Sequence, residues 1–447
     1  MGGSNGSSSV LAWVCTFVSP TLLLTKFIEQ PCSLASMCKE LKSGRAQGNC
    51  MLRRCLLSGA HPAFGNRLPF SYVTWRQAFR STRVYLSIKS SCGVRHSVYC
   101  LCSLSQFVNM EKHNLAISSV SLGWHDSHTL FDKANAAANN GFRGLELMMG
   151  DLEKAAVDAG QSLEAQAATF KAHCDGIGLA VMALSSLDNW EGSQSSLSLR
   201  MRKAIEWIRI ARIVGAPILQ VPASFEDASL LVSEDEIVHQ LRLLADCGLP
   251  RFGSDEATVE IAYEPMAWSV RSDTWQHALH IKRRVGRANF KLCLDTYHIL
   301  AKLWGDCSSP DGKIPGGDAA LEQSLFETLR LMKAEDVSFV QLSDAALAQP
   351  PVTLAQLREA GKQPSWYWCS KGRCFPYQES LGAYLPMTDI IRTWLIELGW
   401  SGWVSMEIFH NSMAQQDRGP GFWAFHGRKS WDRINVEMAK KVRSSHL

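Results

Sequence analysis

Asp295 stands where an apolar run ends, in Phe290-Lys-Leu-Cys-Leu-Asp-Thr-Tyr-His298, with His298 three residues behind it. A carboxylate at the exit of a buried strand is costly unless a cation or a donor meets it. The same arrangement recurs. Val259-Glu-Ile-Ala-Tyr runs into Glu264, Val337-Ser-Phe-Val into Gln341, and Trp403-Val-Ser-Met into Glu407. One such residue alone reads as an ordinary polar strand terminus. Four on successive strand-like runs read as one metal site. Three carboxylates and an amide are hard oxygen ligands, which suit Mg²⁺ or Mn²⁺ better than a structural zinc site does. A divalent cation would remove most of the repulsion among the carboxylates and leave positions open for water or substrate.

Other candidates cluster around these four. His298 is either a helix-start residue or a base beside the metal, since an ordinary histidine pKa of about 6.5 suits proton abstraction near neutrality. Arg373, in Lys371-Gly-Arg-Cys-Phe-Pro376, is either a solvated loop cation or a bidentate grip for an anionic substrate. His125 and Glu146 fall near the ends of the first two strands. His426 and Arg428 follow the last strand, where barrel loops commonly bind anions.

The elements that position them alternate. Strands are expected at 115–122, 144–148, 179–184, 217–221, 258–263, 290–294, 337–340 and 403–406. Helices are expected at 130–140, 163–175, 197–214, 235–244, 274–285, 319–332, 387–398 and 431–442, with a long connection at 345–386. Gly141, Gly215 and Gly399 stop helices as C-caps. The strands are short and apolar, as expected when both faces are buried. Eight strand–helix units in about 330 residues predict an α/β fold, a (β/α)8 TIM barrel. Its catalytic mouth is formed by the C-terminal strand ends, which is where the four ligands fall. A doubly wound open sheet is the alternative, but no Gly-x-Gly-x-x-Gly loop follows any strand.

Composition sets the first 109 residues apart. They hold 12 Lys/Arg against Glu29 and Glu40, and eight of the 14 cysteines. The chain divides accordingly into an N-terminal extension, 1–109, and a barrel domain, 110–447. The extension is read as disordered, as a targeting segment, or as sequence that is not made. Val10–Ile28 is apolar enough to raise a membrane anchor, but Pro20 and Lys26 interrupt it. The remainder is mildly acidic, which argues against nucleic-acid binding. Its six cysteines show no Cys-x-x-Cys spacing, so a reduced, cytoplasmic protein is expected, acting on a small molecule. No membrane contact is expected for the barrel, and a homo-oligomer is allowed.

At the level of motifs the chain resembles the xylose isomerase-like barrels of sugar isomerases and epimerases, and within them the fungal 3-dehydroshikimate dehydratases. The matching blocks are Gly141-Phe-Arg-Gly-Leu-Glu146, Tyr263-Glu-Pro-Met-Ala-Trp268, Asn289–His298, Phe339-Val-Gln-Leu-Ser-Asp344, Gly382-Ala-Tyr-Leu-Pro386, Gly402–Phe409 and His426-Gly-Arg-Lys-Ser-Trp431. The resemblance runs from about Met110 to Ile434. It implies metal ligands at Glu264, Asp295, Gln341 and Glu407, and a divalent ion, Mg²⁺, Mn²⁺ or Co²⁺. It implies dehydration of 3-dehydroshikimate to protocatechuate, with His298 removing the proton alpha to the ketone and Arg373 holding the ring carboxylate. Glu146, His125 and Arg428 are further candidates for substrate contact. The family's basic loop reads Cys369-Ser-Lys-Gly-Arg373 here, with Ser370 and Lys371 where an arginine and an asparagine are usual. A ketose epimerase or inosose dehydratase on the same barrel is the second reading. A barrel that binds a metabolite without turnover is the third.

Overall fold

The structure, a computed structural model, describes residues 73–74, 84–89, 95–100 and 110–444. Chain contacts divide it into two units, Met1–Phe107 with Val442–Leu447 and Val108–Lys441. In the first, strands Val73–Thr74, Val84–Lys89 and Arg95–Cys100 form an antiparallel sheet in that order. The apolar segment 10–28, and with it the anchor and targeting readings, lies outside the described residues.

The second unit is a closed barrel of eight parallel strands. They are β1 (Asn114–Ser118), β2 (Gly144–Met148), β3 (Ala180–Ser185), β4 (Ile218–Pro222), β5 (Glu260–Glu264), β6 (Phe290–Asp295), β7 (Val337–Leu342) and β8 (Trp403–Met406). Each follows its predecessor around the ring, and β8 closes on β1 with Trp403 opposite Asn114. The expected barrel is the observed one. Around it lie α1 (Leu130–Asn139), α2 (Met149–Ala159), α3 (Leu163–Gly176), α4 (Leu197–Val214), α5 (Glu234–Cys247) and α6 (Trp275–Val285). They continue with α7 (Thr296–Leu303), α8 (Gly317–Leu331), α9 (Leu354–Ala360), α10 (Pro364–Gly372), α11 (Met387–Arg392) and α12 (Pro420–Ser444).

Local chemistry sets the helix ends. The side chains of Thr129, Ser162, Ser196, Ser233 and Thr274 each accept a first-turn backbone N–H. Gly160, Gly215 and Gly286 close helices in the left-handed conformation, which costs a glycine little.

Alternation along the strands builds the interior in layers. Ala116, Met182, Ala183, Ile218, Ala262, Cys293 and Phe339 pack as a separate apolar cluster with Trp403 against it. Two residues further along several strands, the same face carries Gln220, Glu264, Asp295 and Gln341. The apolar layer is thus a floor, and a polar layer rests on it. Gly144 shows how tight the floor is, since a Cβ there would meet Trp403 at 2.6 Å.

Several elements differ from expectation. The first strand stops at Ser118, and Ser119–Leu122 turn as 3₁₀ helix. Helices α2 and α7 were not predicted, because their apolar residues run on directly from a strand. The last helix begins at Pro420, a residue suited to a helix first turn. Helix α11 continues as a π-helical turn, Thr393–Glu397. The connection 345–386 is not irregular: it holds α9, α10 and an antiparallel bridge of Asp344–Ala345 with Arg373–Cys374. Asp344 fastens this strap, accepting backbone N–H groups of Ala345, Tyr377, Tyr384 and Leu385. Among the described residues, no helix is long and apolar enough to cross a membrane.

Candidate metal centre

Register brings the expected ligands together. Asp295 on β6 pairs directly with Gln341 on β7, and Leu342 pairs with Met406, the residue before Glu407. Glu264 ends β5. Each of the four then meets its own neighbours. Asp295 caps α7: Oδ1 accepts from Tyr297 N at 2.8 Å and Ser343 Oγ at 3.3 Å, and Oδ2 accepts from Arg373 Nη2 at 2.6 Å. Glu407 Oε2 accepts from the same Nη2 at 3.1 Å. Glu264 Oε2 accepts from Gln220 Nε2, while Oε1 has no hydrogen-bond partner. Gln341 donates Nε2–H to Glu146 Oε1 at 2.8 Å, and its Oε1 accepts from Cys293 Sγ at 3.2 Å.

The site is buried and crowded with charge. Glu146, Asp295 and Gln341 are 0 % exposed, and Glu264, Arg373 and Glu407 no more than 6 %. Four carboxylates face one guanidinium. Burial, and then the neighbouring carboxylates Glu407 and Asp295, hold the Glu264 carboxyl well above the usual range. Burial does the same for Glu407, against the pull of Arg373. Asp295 and Glu146 are raised too, burial again leading. Ser405 lies close enough to Glu146 to favour its ionised form, although Ser405 Oγ and Glu146 Oε2 are both left without a hydrogen-bond partner.

His298 is held by its backbone surroundings. Its Nδ1 accepts the Ala267 N–H at 3.1 Å. A neutral ring then carries its proton on Nε2. Burial, followed by the charge of Arg373, keeps the ring neutral by lowering its pKa well below the ordinary value. Nε2 stands 3.5 Å from Glu264 Oε1 and 3.7 Å from Asp295 Oδ2. These contacts are therefore those of a neutral N–H facing carboxylates, not of an ion pair. The arrangement suits a donor at Nε2, whereas a base at that nitrogen would need the other tautomer.

Arg373 also differs from a free grip at the mouth. It reaches the ring from the end of α10, with Nε and Nη2 on Ser343 Oγ and Nη2 on Asp295 and on Glu407. Nη1 meets only Cys369 Sγ, at 3.6 Å. The structure does not bring His125 or Arg428 to the ring. His125 turns to Ser127 Oγ at 2.8 Å. Arg428 pairs with Asp432 one helical turn on, and its guanidinium borders Gly141, in the turn leading into β2 at the far end of the barrel. A residue two turns down α12 has left the mouth, which sequence position after β8 does not reveal. His426 packs against Phe422 and Phe425. Gln220 and Ser343 were not singled out from sequence. Gln220 left a signal: it is the lone polar side chain inside the apolar run Pro217–Val221.

These residues fit a divalent cation. One guanidinium leaves four buried carboxylates with three uncompensated negative charges, which a divalent ion would cut to one. Glu264 Oε1 is a buried acceptor without a hydrogen-bond partner. Glu264 and Asp295 hold carboxylate oxygens within 4.8 Å of each other and of a His298 ring nitrogen. The donors available are carboxylate and amide oxygens, the set that hard cations take.

Comparison with known proteins gives five findings. A family model described as xylose isomerase-like TIM barrel matches residues 134–429. The 3-dehydroshikimate dehydratase of Neurospora crassa is 32% identical over 337 residues, covering 72% of this chain and 93% of that protein. The 3-dehydroshikimate dehydratase of Pseudomonas aeruginosa is 25% identical over 297 residues, covering 66% of this chain but 38% of that protein. Among solved structures, a xylose isomerase-like TIM barrel/4-hydroxyphenylpyruvate dioxygenase fusion protein superposes with TM-score 0.57 at 23% identity, over 75% of this chain and 44% of that one. An IolI protein with a bound zinc atom superposes with TM-score 0.53 at 15% identity, over 73% of this chain and 99% of that one. Both structural likenesses concern the fold.

Proposed function

This chain belongs to the xylose isomerase-like TIM barrel family, and from that premise we propose that it is a 3-dehydroshikimate dehydratase, a hydro-lyase releasing protocatechuate and water. The observation that carries the reading is the N. crassa dehydratase, matched along 93% of its length. Glu264, Asp295, Gln341 and Glu407 would hold a divalent cation, with Mg²⁺, Mn²⁺ and Co²⁺ the ions to test. Such an ion, when bound, supplies Lewis acidity toward the ring ketone and its neighbouring hydroxyl.

The chain's own residues do the rest. His298 donates its Nε2–H to the oxygen on which enolate charge develops, and the backbone N–H of Ala267 keeps it in that tautomer. This revises the role of base expected from sequence. Removal of the proton alpha to the ketone passes to a carboxylate oxygen of the ring. Two such oxygens have no hydrogen-bond partner, Glu146 Oε2 and Glu264 Oε1, and since Glu264 is a ligand of the cation, Glu146 Oε2 is the candidate. The electron pair freed at the alpha carbon expels the β-hydroxyl, which takes up the proton held by that carboxylate and leaves as water, and enolisation of the resulting dienone to the aromatic ring drives the product forward. Arg373 fixes Asp295 and Glu407 with Nη2 and has Nη1 left for the substrate carboxylate. The closed polar layer keeps water from the enolate. The six free cysteines among the described residues accord with a reducing, cytoplasmic setting.

The test is direct. The full chain is stripped of metal, supplied with each ion in turn and given 3-dehydroshikimate, and protocatechuate is followed by its aromatic absorbance. Metal-dependent product is expected. A folded protein that makes none with any ion overturns the reading.

A further inference from the structure

We propose that Glu146 is a positioning residue for the metal centre: by accepting the Nε2–H of Gln341, it turns the amide oxygen of Gln341 toward the cation. The proposal rests on the metal-centre reading above and adds a residue outside the four ligands.

Gln341 is the one neutral ligand among the four, and its side chain has two nearly isosteric ends. One is an oxygen that can ligate a cation. The other is an NH2 that repels it. A carboxylate ligand has no such ambiguity, so only at Gln341 must something decide which end faces the ion. A hydrogen-bond network is what assigns an amide's orientation. Here the network is unequivocal at one end. Glu146 Oε1 lies 2.8 Å from Gln341 Nε2, and a carboxylate oxygen can only accept. Ser185 Oγ donates to the same oxygen at 2.8 Å, so Oε1 is braced from a second strand. Glu146 and Gln341 are both 0 % exposed, so bulk solvent does not compete for the bond between them. At the other end, Gln341 Oε1 meets Cys293 Sγ–H at 3.2 Å, a weak donor that leaves a lone pair for a metal. Glu146 comes from β2, across the barrel from β7, so the contact spans 195 residues of chain. Outer partners of metal ligands typically contribute about 10–100-fold in metal affinity.

The experiment separates positioning from charge. Metal is titrated into the full-length, metal-free protein without substrate, with Mn²⁺ as the probe, following free Mn²⁺ by its electron paramagnetic resonance signal. Glu146→Gln removes the charge but keeps an acceptor oxygen for Gln341. Glu146→Leu removes both at similar volume. The expected result is an affinity within a few-fold of wild type for E146Q and about 10–100-fold weaker for E146L. Thermal unfolding is read alongside, and a loss of affinity in a protein with unchanged cooperativity is the supporting pattern. Should E146L not fold, E146A carries the same contrast without overpacking. Equal weakening of E146Q and E146L would assign the effect to charge and overturn the proposal. Wild-type affinity in E146L would overturn it as well. A wild-type protein that binds no Mn²⁺ would instead overturn the metal-centre reading, and the proposal with it.

Discussion

Tyr263 and Glu264 are neighbours on β5, and their side chains serve two buried polar clusters that handle charge differently. Outside the strand, Glu191 Oε1 accepts from Ser224 N at 2.7 Å and from Tyr263 Oη at 2.9 Å. Tyr263 Oη lies 3.2 Å from Ser272 Oγ, which meets His277 Nδ1 at 2.9 Å. That cluster buries one carboxylate, met at Oε1 by neutral donors, with Oε2 left unpartnered and the charge of Arg271 nearby. Inside the barrel, four carboxylates share Arg373. A single buried carboxylate can be satisfied by hydroxyls and amides, or can take up a proton. Four within reach of one another exceed what neutral donors supply, so the inner cluster calls for a cation. Two faces of one strand thus mark the difference between a polar network that holds loops together and one that can do chemistry.

The sharpest break of that contrast is at Asp295. Asp295→Asn keeps the shape of the ring but removes a ligand charge. It should lower kcat/KM for protocatechuate formation by about three orders of magnitude, the scale of a Lewis-acid contribution of several kcal/mol. Ser272→Ala, in the outer cluster, should stay within a few-fold. If D295N kept more than a tenth of wild-type turnover, the two clusters would not differ as described.

His298 gives the next largest effect and tests its role. A donor at Nε2 can be mimicked by a glutamine amide, which reaches about as far, whereas a base cannot. His298→Ala should lower kcat by about 10²–10³, as removal of one donor to a developing oxyanion does. His298→Gln should recover to within about tenfold of wild type. Equal loss in both variants would return His298 to the role of base. Arg373 is read in stability. Removing it leaves Asp295 and Glu407 buried without a counter-charge, so Arg373→Ala should cost about 3–5 kcal/mol in denaturant unfolding of the metal-free protein. A loss under about 1 kcal/mol, together with a raised KM alone, would make it a substrate grip and nothing more.

What was legible in the sequence follows from these same physical distinctions. The barrel was readable because each strand is a short apolar run with its own turn signals. The four candidate ligands could be singled out because a polar side chain at the end of such a run, repeated on four successive strands, points to a shared cation. Glu146 was visible as a polar residue on the rim, but its partner was not, since a contact across the barrel depends on closure of the ring. The tautomer of His298 depends on one backbone N–H of the β5 loop, at Ala267, which no side-chain pattern encodes. Arg428 was misplaced for a related reason: distance along α12 carries a residue away from the mouth at 1.5 Å per position. Helices α9 and α10 were hidden because the strap is rich in Trp, Tyr and Pro, and α10 opens on Pro364, a residue that breaks a helix except at its start.

The smallest effect concerns the outer cluster alone. Burial raises the Glu191 carboxyl from its ordinary 4.5 to about 7, only partly offset by the Ser224 and Tyr263 bonds and by the charge of Arg271. A carboxyl raised on folding binds its proton more tightly in the native state. Its contribution to stability is therefore complete below the ordinary value and is lost as pH rises through about 7. Glu191→Gln removes that titration, so the variant should gain on wild type between pH 5 and pH 8, by on the order of 1–3 kcal/mol. Saturating Mn²⁺ holds the inner carboxylates ionised in both proteins, and their shared titration cancels in the difference. Unfolding free energies at the two pH values measure it. A difference that does not change with pH would mean that Glu191 is ionised in the native protein, and that two neutral donors and a nearby arginine suffice to hold one buried charge, where the four of the inner ring call for a cation.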